Sequence, residues 1–163
     1  MKFVPKELEA NVVAAVSAAL AAAGIDADTC EVVGTWQSAA HGYVRWIETG
    51  LTPAVVCVTV ATALPQTYTS PSVQFAANIE LFVRPDKDPQ GELLVSIAQT
   101  IENMLRTWQA ETYQQAFDLL DVADEFAVGS VSGNQGTAPT VQNERCSVSW
   151  PITISGSYIR SDF

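Results

Sequence analysis

Residues 73–84 alternate between apolar and polar side chains, and no other stretch limits the fold as strongly. Val73, Phe75, Ala77, Ile79, Leu81 and Val83 project to one side, while Gln74, Asn78, Glu80 and Arg84 project to the other. A period of two is that of a β-strand with one face on a core and the other toward water. Strands of parallel sheets are covered on both faces and read as continuous apolar runs, so the alternation predicts an antiparallel or mixed sheet. The end of the chain repeats the pattern. Cys146, Val148, Trp150, Ile152, Ile154 and Tyr158 share one side; Arg145, Ser147, Ser149, Thr153, Ser155 and Ser157 share the other. Pro151 has no N–H to donate, which places the strand over 146–158 at a sheet edge or bulges it there. A third strand spans 54–63, between Pro53 and Pro65.

Two segments change to the helical period. Leu8, Val12, Val16 and Leu20 recur every fourth residue, with Pro5 suited to a first helical turn and Gly24 to the left-handed position after the last. These limits predict a helix over 5–23. Asp88 and Pro89 read as an N-cap and first helical residue. Leu93, Leu94, Ile97, Ala98, Ile101, Met104, Leu105 and Trp108 then form an apolar stripe over a helix at 89–108. Weaker patterns suggest strands at 29–36, 43–48 and 126–131, and a short helix within 110–121 carrying Tyr113, Phe117 and Leu120. The run 132–143 is polar, with Gly133, Gly136 and Pro139. It is expected to be poorly ordered or held only by contacts outside its own domain. The expected class is therefore α+β, a single domain over 1–163, with a mostly antiparallel or mixed sheet flanked by two main helices.

Composition narrows the function. A chain of 163 residues with 48% hydrophobic side chains can bury a core without disulfide or metal staples. Only 16% of its residues are charged, against about 25% in an average soluble protein. Such a surface leaves uncharged patches of the kind that mark protein contacts. The net charge is −10, and the eight basic residues are scattered from Lys2 to Arg160 with no adjacent pair. Gripping nucleic acid needs clustered cations to displace counterions, so no specific nucleic-acid binding is expected. No apolar run reaches the roughly 20 residues that a membrane helix needs. The apolar stretch 12–23 follows Glu7 and Glu9, which cancel Lys2 and Lys6, so it reads as an amphipathic helix rather than a signal-peptide core.

Candidate chemistry is sparse. Cys30, Cys57 and Cys146 make no CxxC, and their odd number suits a reducing compartment. Cys57 and Cys146 fall in strand runs, where a thiol acts as a small buried hydrophobe. Residues 86–91 imitate the start of a calcium-binding EF loop, but its twelfth position, which needs a bidentate glutamate, is Ile97. The acidic run Asp118, Asp121, Asp124 and Glu125 reads as a solvated face. His41 is the sole histidine and stands in no nucleophile motif. Trp108 and Trp150 suit core positions; Trp46, beside Arg45 and Glu48, suits an interface anchor. No catalytic, cofactor-binding or metal-binding residue is assigned, and no cofactor is expected.

Taken in order, the helix over 5–23, the strands 55–63 and 73–84, the helix opened by Asp88-Pro89, and the Trp150 strand ending Ser-Gly-Ser-Tyr form a pattern. That pattern resembles phage tail-terminator and neck (tail completion) proteins. The resemblance covers most of the chain but has no diagnostic motif, so no functional residue is carried over. It implies a non-enzymatic structural subunit that self-associates into a ring and contacts the tail tube or neck proteins. The implied setting is the bacterial cytoplasm during assembly and then the virion tail. A competing class is a small enzyme or ligand-binding domain with a pocket near His41.

Overall fold

The computed structural model describes residues 4–34, 52–62, 72–110, 126–133, 136–142 and 145–158. In chain order the elements are α1 (Val4–Ala22), β1 (Cys30–Gly34), β2 (Ala54–Thr62), β3 (Ser72–Val83), α2 (Glu92–Ala110), β4 (Phe126–Ser132), β5 (Thr140–Gln142) and β6 (Arg145–Tyr158). The six strands form one mixed sheet in the order β1-β2-β3-β6-β4, with β5 also paired to β6. β1 runs parallel to β2, and the other pairings are antiparallel. The class is α+β, as the alternating strands predict. The expected strand at 43–48 and all but Ala110 of the expected helix at 110–121 lie outside the described residues.

The alternation in β3 decides which way the sheet faces. Phe75, Ala77, Ile79, Leu81 and Val83 are buried, as are Ala54, Val56, Val58 and Val60 of β2 and Val148, Trp150, Ile152 and Ile154 of β6. Leu8, Val12, Val16 and Leu20 of α1 and Ile97, Ile101, Leu105 and Trp108 of α2 close this core. Helix α1 packs on β1 and β2, α2 packs on β3 and β4, and the two helices touch each other. Both helical stripes thus meet the same face of the sheet.

The ends of the helices follow local chemistry. Gly24 adopts φ +82°, Ile25 N–H donates to the Leu20 carbonyl at 2.9 Å, and Gly24 N–H donates to Ala21 at 3.0 Å. These are the two bonds of a Schellman stop, which favours glycine because a Cβ strains the left-handed backbone. The start of α2 departs from expectation. Pro89 is not its first residue; 89–91 form a turn, with Gly91 at φ +72°, and the helix begins at Glu92. Asp88 still caps it, accepting Leu93 N–H on Oδ1 at 3.1 Å and Leu94 N–H on Oδ2 at 3.0 Å. Both oxygens satisfy backbone donors that the first turn leaves unpaired. Asp88→Ala is expected to cost about 1–2 kcal/mol of stability, measurable as a lower urea midpoint, with Asp88→Asn losing less. An unchanged midpoint in the alanine variant would count against the cap.

Two further expectations are corrected around Pro151. Strand β6 is not an edge: β3 lies along one side and β4 and β5 share the other. The proline is accommodated by a break in the neighbouring strand. Ser149 accepts Thr137 N–H at 2.8 Å and donates its own N–H to Thr137 Oγ1 at 3.1 Å, so its backbone faces the β4–β5 side. Two residues on, Pro151 faces that side too and has nothing to donate. There the outer chain leaves the ladder at Gly133 (φ +94°), where a Cβ would overlap the Pro151 carbonyl oxygen, and pairing resumes at Thr140.

The described part of 132–143 is also held by its own domain. Gly136 lies so close over Trp150 that a Cβ would come within 2.7 Å of the indole nitrogen. Its N–H donates to Glu102 Oε1 at 3.4 Å, and the Thr140 and Ser147 hydroxyls are 3.0 Å apart. A small residue over a buried ring and a row of β6 partners order this polar segment. Composition alone shows neither.

Candidate functional site

One candidate surface is the sheet face opposite the helices. The period of two brings Val55, Cys57, Thr59 and Ala61 of β2 to this face, with Gln74, Ala76, Asn78, Glu80 and Phe82 of β3. Beside them lie Ser147, Ser149, Pro151, Thr153 and Ser155 of β6. Val55 is fully buried, whereas Thr59, Ala61, Gln74, Ala76 and Pro151 are exposed. The strands β2, β3 and β6 hold only two charged residues, Glu80 and Arg145. An ordinary water-facing sheet carries far more charge than this. Asn78 Nδ2 donates to Glu80 Oε1 at 2.8 Å, so the one carboxylate near the middle is partly engaged by an amide.

A second concavity lies between the helices. It is an open groove of about 560 Å³; Ala15, Ala18, Ala19 and Ala22 form one wall, with Asn103, Met104 and Trp108 opposite. The alanines recur at intervals of three and four residues, which puts them on one helical stripe beside the core stripe. Trp108 is 2% exposed, and among the described residues its indole nitrogen has no hydrogen-bond partner.

Apart from the cysteines, the residues singled out in the sequence fall into three groups. His41, Trp46, Asp118, Asp121, Asp124 and Glu125 lie outside the described residues. The EF-like segment is accounted for by folding: Asp88 caps α2, and Ile97 is fully buried in the core. Trp108 and Trp150 occupy the core as expected.

The cysteines differ from expectation. Cys30 is the buried thiol, packed among core residues with its S–H toward the Glu31 carbonyl at 3.6 Å; Cys57 and Cys146 are half-buried. Parity explains Cys57, which projects from β2 on the face away from the helices, next to Glu80 on β3. Burial pushes the Cys30 thiol up to about 12, with Cys57 and Glu31 adding to the effect. Burial, then the Glu80 carboxylate, pushes Cys57 up to about 12 as well. Cys146 is also raised, by burial and then by Asp88. The thiolate is the reactive form, so none of the three is poised as a nucleophile at neutral pH. Among the described residues, no three His, Cys, Asp or Glu side chains gather where they could hold a metal ion.

Two carboxylates matter that the sequence reading did not single out. Glu9 is 1% exposed and lies against Gly34, where a Cβ would overlap its Oε1. The signal was present: Glu9 precedes Val12, Val13 and Val16 by three, four and seven residues, a position on the buried stripe. Glu102 of α2 accepts the Trp150 indole N–H and the Gly136 N–H on one oxygen, each at 3.4 Å. Its other oxygen lies 3.8 Å from Arg106. No spacing rule links positions 102, 136 and 150, because they meet only through the fold. Comparison with models of known protein families gives no match, and comparison with curated proteins gives none either.

Proposed function

We propose that this chain is a structural subunit of a phage or prophage tail or neck, a ring-forming protein of the tail-terminator kind. The observation that carries this reading is the charge-poor sheet face opposite the helices, whose three central strands hold only Glu80 and Arg145 as charged residues. Covering this face with another protein desolvates few charges, and charge depletion is what marks the core of an interface. Its Ser, Thr and Asn groups need hydrogen-bond partners across the contact. The element order also supports the reading, since α1, β2, β3, α2 and β6 follow one another as in the resemblance drawn from the sequence. With β6 inside the sheet, contact through this face replaces contact through a β6 edge as the route to self-association. The partners are further copies of the chain and the tail tube or neck proteins, in the bacterial cytoplasm and later in the virion tail. A net charge of −10 would let DNA pass such a ring without adhering. Among the described residues, no helix is long and apolar enough to cross a membrane.

Light scattering across a concentration series, with negative-stain microscopy at the highest concentration, tests the proposal. The expected result is a mass that rises to a fixed multiple of the subunit, with closed rings in the images. Ala76→Arg, on the exposed part of the face, is expected to abolish assembly while leaving the urea midpoint unchanged. A protein that stays monomeric at millimolar concentration and also fails to join purified tail tubes overturns the reading.

A further inference from the structure

We draw no further inference here: the strongest candidate, the alanine-walled groove between α1 and α2 with Trp108 in its lining, is an apolar face over which nothing in the described structure shows what sits.

Discussion

Replacing Trp150 by alanine is expected to lower the unfolding free energy by about 3–5 kcal/mol, the range for removing a large buried aromatic side chain. Trp150 is 0% exposed and is the largest fully buried side chain of the described residues. It sits at the middle of β6, opposite Ile79, and its indole reaches Glu102 on α2. It is also the surface against which Gly136 lies. The substitution therefore opens a cavity and removes support from the segment between Gly133 and Thr140. Trp150→Phe keeps most of the apolar volume and loses the N–H donor, so its cost should be about 1–2 kcal/mol. Urea unfolding followed by circular dichroism measures both. A Trp150→Ala midpoint no lower than that of Val95→Ala, a change at a half-exposed helical position, would show that the ring does not hold the core.

The second large effect is a loss of stability in alkali. The Cys30 and Cys57 thiols ionise near pH 9 when free and near 12 in the fold. Between those values the unfolded chain gives up protons that the folded chain keeps, so stability falls as pH rises. The contribution is complete below pH 9 and is lost progressively toward pH 12. Each thiol contributes a slope of about 1.4 kcal/mol per pH unit, so the pair steepens the decline by about 2–3 kcal/mol per unit. Tyrosine and lysine titrate over the same range, so the comparison is with the Cys30→Ala, Cys57→Ala double variant. That variant begins slightly less stable, because a small cavity replaces the Cys30 sulfur. Its stability should nevertheless fall less steeply from pH 9 upward. Equal slopes for parent and variant would mean that the thiols are not shielded from ionisation.

Both effects depend on residues that the sequence placed unequally well. Trp150 was legible because it stands in register with Val148, Ile152 and Ile154 on an alternating strand. The fate of Pro151 was half legible. A missing donor requires a break in pairing, but which side of the strand breaks depends on how many neighbours the strand has. The structure puts the break in the outer chain between β4 and β5 and leaves the pairing with β3 unbroken. Asp88 was legible as a cap, while the helix start was displaced by three residues because the turn through Gly91 fits between cap and helix. The segment at 136–142 was misjudged. Its polar composition predicts little burial of its own, but order here comes from hydrogen bonds to β6 and Glu102.

The candidate surfaces divide in the same way. The uncharged face of the sheet follows from β2, β3 and β6 themselves, because their alternate residues must share a side once the strands pair. That α1 and α2 both pack on the opposite face is seen only in three dimensions. The alternation of β3 and β6 offers the apolar stripes of α1 and α2 one apolar face. That both helices lie side by side on it, touching each other, depends on packing between distant segments. The thiols also depend on pairing: the register that sets Cys30 beside Ala54 and Val33 beside Cys57 sends them to opposite faces, and α1 packs on the Cys30 side. The sequence by itself determined the α+β class, the chief strands and helices, and which side chains share a face, since these follow from periods of 2 and 3.6 within each segment. Only the tertiary structure decided the strand order, the interior position of β6, and the meeting of Glu102, Gly136 and Trp150. Those depend on packing between residues far apart in the chain, which no local period encodes.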